Sequence, residues 1–247
     1  MIDLHCHLLP GIDDGPDTLE QAMGLAQIAE SNGIQSCVVT PHVHPGRYEN
    51  TAQSIAIEVE KFRDALAEAN IGLNIAAAGE VRLSAEILDM FAQQQLPFLG
   101  EWQGQQVMLL ELPHSHVPPG SDKLVKWLMD RGIRPMIAHP ERNKGMMREL
   151  DQIKPFVELG CLFQLTAGSV AGSFGPAAEL VAQHILEMGV VTILASDAHN
   201  AKHRPPNLEP GRRVVERLLG ESASWDLVKN NPGDISKSNF SPLVTPV

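Results

Sequence analysis

Short runs of β-branched and aliphatic residues alternate along the chain with longer stretches whose apolar positions recur at helical spacing, and the alternation repeats seven times. The runs predict strands over 2–4, 35–40, 73–78, 106–110, 134–138, 161–165 and 190–195. The stretches between them carry helix boundary signals. Thr18 with Gln21 resembles a capping box, Gly33 stands where a glycine just past a helix end is expected, and Gly132, Gly160 and Gly189 each close a helix before a strand. Strand–helix repetition of this kind builds a parallel sheet, either doubly wound or closed into a barrel. No glycine-rich phosphate loop follows the first strand, which argues against a nucleotide-binding open sheet. No linker or composition shift interrupts residues 1–230, so one domain is expected there. Residues 231–247, rich in Pro, Ser and Asn, read as a tail that hugs the surface or frays.

Composition narrows the partners. The chain has 247 residues, enough for one large domain or two small ones. Its 19 Lys and Arg stand against 30 Asp and Glu, a formal charge of -11, and only 4% of residues are aromatic. So acidic a surface repels nucleic-acid backbones and anionic lipid, and it offers few stacking faces for single strands. An anionic substrate would need a local positive site, such as bound metal. No stretch approaches the roughly 20 apolar residues of a membrane helix, and the first residues lack a basic segment followed by an apolar one, so a cytoplasmic protein is expected. Cys6, Cys37 and Cys161 are an odd number, each in or beside a predicted strand, and are expected to be buried free thiols.

The candidate chemistry sits at the strand ends. The first strand runs into His5-Cys6-His7, with Asp13-Asp14-Gly15 soon after, and the second ends at Thr40-Pro41-His42. The third ends at Gly79-Glu80, the fourth at Glu111, the fifth at His139-Pro140-Glu141-Arg142 and the seventh at Ser196-Asp197-Ala198-His199. In a parallel α/β barrel these ends converge on one face. On an extended segment His5 and His7 point the same way and can reach one cation. Mixed imidazole and carboxylate donors suit Zn, Mn or Fe, their number exceeds what one ion needs, and Glu80 is suited to bridging two. Asp13 reads as a turn residue without a metal role, and His184, inside a predicted helix, as a surface residue. Arg142 and Arg204, the latter stiffened by Pro205-Pro206, could grip phosphate oxygens or simply be solvated; spacing alone leaves both open.

The segments Asp3-Leu4-His5-Cys6-His7 and Pro10-Gly11-Ile12-Asp13-Asp14-Gly15-Pro16 resemble the PHP (polymerase and histidinol phosphatase) superfamily. More narrowly, they resemble the metal-dependent protein-tyrosine phosphatases encoded with bacterial capsule and exopolysaccharide genes. Ile137-Ala138-His139-Pro140-Glu141-Arg142, Ala195-Ser196-Asp197-Ala198-His199-Asn200, Arg204-Pro205-Pro206 and Asn231-Pro232 are similar to that group's later motifs. The resemblance runs from residue 1 to about 235, which implies one PHP domain over 1–235 and a tail over 236–247. It implies an α/β fold, a distorted seven-stranded (β/α)7 barrel, with three divalent ions: manganese, with iron, zinc or magnesium open. Carried over by position, His5, His7, Glu80 and Asp197 would hold one ion. Glu80, Glu111 and His139 would hold a second, and Asp14, His42 and His199 a third. Arg142 and Arg204 would grip the phosphate while a metal-bridging hydroxide attacks phosphorus.

The cysteines test the alternative mechanism. A thiolate phosphatase needs Cys-x5-Arg, but Ile12, Val43 and Ala167 stand six residues after the three cysteines. The expected activity is therefore metal-dependent phosphotyrosine hydrolysis on a protein, expected to be a bacterial tyrosine kinase that controls polysaccharide export. A small-molecule phosphomonoesterase such as histidinol phosphatase, and a non-catalytic metal-binding module, are the alternatives. His44, Arg47, Tyr48, His114 and His116 lie in loops expected to rim the pocket, either as solvated residues or as determinants of substrate choice.

Overall fold

The computed structural model describes residues 1–240. Ten strands form: β1 (Ile2–Cys6), β2 (Ser36–Val39), β3 (His42–Val43), β4 (Asn74–Ala77), β5 (Glu80–Arg82), β6 (Gly100–Trp102), β7 (Gln105–Glu111), β8 (Ile133–Ala138), β9 (Leu162–Thr166) and β10 (Ile193–Ala195). One parallel sheet runs β1-β2-β4 and a second runs β10-β9-β8-β7-β5-β3. The two are halves of one ring. β2 resumes as β3 after Thr40-Pro41, and β4 resumes as β5 after Ala78-Gly79. At the seam between β1 and β10, the Asp197 N–H donates to the His5 carbonyl at 2.7 Å and the His7 N–H to the Ala198 carbonyl at 2.8 Å. The product is a distorted seven-stranded α/β barrel, as the strand–helix alternation and the resemblance led one to expect.

Two apolar layers hold it. Leu4, Val38, Ala76, Leu109, Met136, Leu162 and Ile193, one from each stave, pack inside the ring. The alternate positions, among them Cys37, Val39, Ile75, Leu110, Ile137 and Leu165, pack outward beneath the helices. Both faces of a parallel sheet are thereby buried, which is why these strands read as nearly continuous apolar runs. The longer outer helices are Leu19–Ser31, Ala52–Glu68, Ser121–Met129, Pro176–Glu187 and Glu209–Leu219. Thr18 caps the first of these by accepting from the Gln21 N–H at 3.3 Å. None of the described helices is long and apolar enough to cross a membrane. All three cysteines are free and buried.

Two elements depart from the expectations. The chain makes an antiparallel hairpin of β6 and β7, turned at Gln103 and Gly104, whose φ values of 53° and 81° suit the tight turn between paired strands. The short, polar β6 carries no alternation that would announce it. Residues 231–240, expected in a tail, form the helix Asn231–Phe240 across the floor of the barrel. Its Ile235 joins the interior cluster, and the Asn239 side chain donates to the Leu99 carbonyl at 2.8 Å. Phe240 packs against the same cluster, and two apolar residues five apart make no helical stripe. Residues 241–247 of the expected tail lie outside the described residues.

Gly100, at the start of β6, permits that docking: its φ is 134°, and a Cβ there would lie 1.9 Å from the Ile235 carbonyl oxygen. Gly100→Ala is expected to lower stability by about 3 kcal/mol, as a backbone clash in a well-packed region does. Urea unfolding checks this, and an unchanged midpoint would mean that the helix does not sit against β6.

Candidate metal centre

Four staves deliver their donors at local irregularities. In β1 the pairing steps from Asp3↔Cys37 to Cys6↔Val39, so three residues of β1 face two of β2. This bulge reverses the alternation: Leu4 lies inside the ring and Cys6 outside it. His5 and His7 consequently both enter the mouth of the barrel, whereas unbroken alternation from Leu4 would send them outward. Glu80 opens β5 directly after Gly79, where a Cβ would meet Pro97 Cγ at 2.7 Å and Val43 Cγ2 at 2.8 Å. His139 and Asp197, after β8 and β10, have φ values of 33° and 51°, conformations that non-glycine residues seldom adopt and that concentrate at functional sites.

Glu80 is the centre of the cluster. Its Oε2 lies 3.4 Å from His5 Nε2, 3.5 Å from His7 Nε2 and 3.0 Å from His42 Nδ1, while Oε1 lies 2.8 Å from His139 Nε2. Asp197 Oδ1 is 3.3 Å from His5 Nε2 and 3.4 Å from His7 Nε2. Asp14 Oδ1 meets His42 Nε2 at 3.2 Å and His199 Nε2 at 3.4 Å. Asp197 Oδ2 accepts from both Arg142 and Arg204. Glu111 is held by Arg82 at 3.0 Å. All eleven residues singled out at the strand ends therefore meet at one face.

The donor set fits divalent cations. Glu80 Oε2 is buried and accepts no well-formed hydrogen bond although three imidazole nitrogens surround it. Such convergence of nitrogen and oxygen lone pairs is what a cation between them resolves. Potential ligand atoms lie within 4.8 Å of one another in four overlapping groups: His5, His7 and Glu80; His5, His139 and Asp197; His42, Glu80 and Glu111; and His7, Asp14, His42 and His199. These groups cut across the threefold division that the resemblance implies: His42 stands with Glu80 and Glu111, and His139 with His5 and Asp197.

Without ions, protons carry the balancing charge. Burial alone would lower the His42 pKa, but the Glu80 and Asp14 carboxylates outweigh it and raise it to about 10. Burial, together with the neighbouring His7, drives His199 down to about 4. Burial would raise Asp197, yet Arg142, His5 and Arg204 hold its carboxyl well below the usual range.

Sequence reasoning missed the groups that orient the imidazoles. Asp13 does cap the turn, its Oδ1 accepting from the Gly15 N–H at 2.9 Å. Its Oδ2 also lies 2.6 Å from His7 Nδ1 and accepts from the His42 N–H at 3.1 Å, which turns His7 Nε2 toward the cluster. Gln164 Oε1 does the same for His5, lying 2.9 Å from its Nδ1, and accepts from the His139 N–H at 3.1 Å. A buried amide in the otherwise apolar β9 is the one signal that could have revealed it. Asp3 accepts from the Ser196 hydroxyl at 2.5 Å and its N–H at 3.0 Å, joining β1 to the end of β10.

The cluster opens into a cavity of about 430 Å³, lined also by His44, Arg47, Tyr48, Arg82, His114 and Phe174. The Tyr48 ring stacks on His42 at 5.5 Å, and the Arg142 guanidinium lies over Phe174 at 4.9 Å. Phe174 and Arg82 had no sequence signal. His116 is exposed and does not line the cavity, and His184 is an exposed helix residue. A larger cleft of about 690 Å³, between Arg63, Asn74 and Asn239, lies at the other end of the barrel and holds no comparable donor cluster among the described residues.

Comparison with known proteins agrees with this picture. The family model for capsular polysaccharide synthesis proteins CpsB/CapC matches residues 1–237. The tyrosine-protein phosphatase YwqE of Bacillus subtilis is 32% identical over 93% of this chain and 89% of its own. The tyrosine-protein phosphatase CpsB of Streptococcus pneumoniae is 27% identical over 95% of this chain and 98% of its own. A crystal structure from work on these two proteins, described as unique metal-dependent tyrosine phosphatases, superposes with a TM-score of 0.88 at 30% identity, over 100% of this chain and 99% of that one. An organophosphorus hydrolase mutant, 14% identical with a TM-score of 0.56 over 95% of this chain and 92% of that one, shares the barrel fold.

At neutral pH the metal-free protein holds a proton on His42 that a cation bound there would displace. Because the folded pKa is raised, the stability this proton lends the metal-free protein is complete below about 6.5 and is lost as pH rises through about 10. Metal affinity should move the opposite way, rising with pH, and binding should release protons. Calorimetric titration of metal into stripped protein, in two buffers of different ionisation enthalpy, measures both; affinity independent of pH would exclude His42 as a ligand.

Proposed function

The chain belongs to the capsular polysaccharide synthesis CpsB/CapC family, and from that premise we propose that it hydrolyses phosphotyrosine on a protein by a metal-dependent, cysteine-independent mechanism. One observation carries the reading: Arg142 and Arg204 both converge on Asp197 Oδ2, while Oδ1 of the same carboxylate faces the imidazole cluster. A phosphoryl group entering the cavity therefore meets two guanidinium forks at the edge of the donor set. Forks of this kind match phosphate oxygens bidentately.

The residues divide the work. His5, His7, Asp14, His42, Glu80, Glu111, His139, Asp197 and His199 would hold the ions, three in number and manganese by our reading. When bound, these ions supply positive charge to the phosphoryl oxygens and acidify water at neutral pH. Arg142, mostly buried and braced over Phe174, needs little reorganisation to bind the phosphate, and Arg204 closes the other side. Asp13 and Gln164 keep the imidazoles of His7 and His5 each in one tautomer. Tyr48 and Phe174 give the cavity aromatic walls beside the phosphate site, which suits a phenolic leaving group.

The thiols play no part. Burial holds the Cys6 thiol well above the ordinary range and pushes Cys161 up to about 12, and no cysteine lines the cavity. Three free thiols also suit a reducing compartment, and we place the reaction in the cytoplasm, on a tyrosine kinase of polysaccharide export.

The metal-reloaded protein should turn over a phosphotyrosine peptide in preference to a phosphoserine peptide and histidinol phosphate. Preference for histidinol phosphate would move the protein to small-molecule chemistry, and no turnover of any of the three would make it a binding module. Arg142→Ala should lower kcat/KM by roughly 10²- to 10³-fold, the usual loss for one preorganised charge-stabilising donor. His42→Ala and Asp197→Ala should abolish turnover, and Cys37→Ser should leave it nearly intact. A folded but inactive Cys37→Ser would overturn the metal mechanism.

A further inference from the structure

We infer that the rim of the cavity selects phosphotyrosines flanked by acidic residues, through an arc of fixed positive charge formed by Arg47, Arg82 and Lys144. This deepens the phosphatase reading and rests on it.

The arc is local and runs against the character of the chain, which carries 30 acidic and 19 basic residues. On the outer helices Lys61, Arg63, Lys126 and Arg213 each pair with an acid one turn away. On the rim the pattern changes. Arg47, exposed in the loop after β3, makes no ion pair among the described residues, and its guanidinium lies 4.9 Å from the centre of the Tyr48 ring. Lys144, exposed after β8, likewise leaves its ammonium unpaired, while its N–H donates to the His114 carbonyl at 2.8 Å and ties two rim loops together. Arg82, between them, places its guanidinium Nη1 3.0 Å from Glu111, a member of the donor cluster.

Geometry joins these cations: Arg47, His44, Arg82 and His114 line one cavity, and the backbone of Lys144 is held against that of His114. One arc of basic side chains therefore runs from Arg47 past Arg82 to Lys144. The acids nearest to it are committed or peripheral: Glu49 accepts from the Gly46 N–H at 2.6 Å, and Glu86 is exposed beside His44.

A phosphotyrosine anchored at Arg142 and Arg204 leaves its peptide backbone to cross this rim. At ~3.3 Å per extended residue, side chains one to three positions from the phosphotyrosine pass over it. Acidic side chains there would be drawn in and basic ones repelled, as complementary potentials do for partner choice. A small phosphomonoester would have no use for the arc.

The test uses metal-reloaded protein and two phosphotyrosine peptides, identical except for Glu or Lys at the three positions on either side, with p-nitrophenyl phosphate as a substrate that has no flanks. The Glu peptide should show a kcat/KM roughly tenfold above the Lys peptide, a preference that shrinks with salt because rim charges are exposed. In the double variant Arg47→Glu, Lys144→Glu the ratio should fall at least to unity, each rate taken relative to that variant's own turnover of p-nitrophenyl phosphate. Equal rates on the two peptides with the unaltered protein, or a preference kept by the variant, would overturn the inference while leaving the phosphatase reading standing. Turnover of neither peptide nor p-nitrophenyl phosphate would remove that reading and the inference with it.

Discussion

The seam between the first and last staves is the constraint on which the site depends. Asp197 donates its N–H to the His5 carbonyl, and Asp3 takes both the hydroxyl and the N–H of Ser196. The same few residues that close the ring thus carry the donors at its mouth. Asp197 stands in a left-handed backbone conformation because the chain must turn there while its carboxylate reaches two arginines and two imidazoles. Closing the barrel and assembling the cluster are one event, so the strain at Asp197 and His139 is held by many hydrogen bonds at once.

So dense a set of ionisable groups, with His5, His7, Glu80 and Asp197 all essentially inaccessible to water, is costly to bury unless the charges compensate one another. The structure compensates them in layers. Carboxylates face imidazoles at the centre, guanidiniums lie behind Asp197, and Asp13 and Gln164 fix the imidazole tautomers from outside. The excess of donor lone pairs over protons is largest at Glu80, which touches four of the five clustered imidazoles. Glu80 therefore determines how far the cluster can be neutralised by protons alone.

Much of this was legible beforehand. The strand–helix repetition gave the parallel α/β sheet because burial of both sheet faces writes itself into the sequence as apolar runs, the resemblance gave its closure into a seven-stranded barrel, and the strand-end histidines and acids gave the candidate site because parallel staves gather their ends on one face. The illegible parts share a physical cause, that they depend on contacts between distant segments. The bulge in β1 is a matter of register with β2, and nothing in Leu4-His5-Cys6 announces it. Gln164 is one polar residue inside a core strand, Phe174 lies in a loop between glycines, and Asn231–Phe240 read as part of a tail, since Ile235 and Phe240 make no helical stripe.

That floor has a consequence for how the protein comes into being. Ile235 packs among Leu4, Val38 and Leu109, so the chain's opening strand and its closing helix share one interior. During synthesis the first stave must wait, with His5 and His7 already made, until nearly the whole polypeptide has left the ribosome before its neighbour β10 and its floor exist. Contacts of such long sequence separation form late and slowly. The nascent chain therefore presents His5 and His7 to the cell well before it owns Asp197, His199 and Arg204, and the order of translation itself keeps the cluster incomplete until near the end.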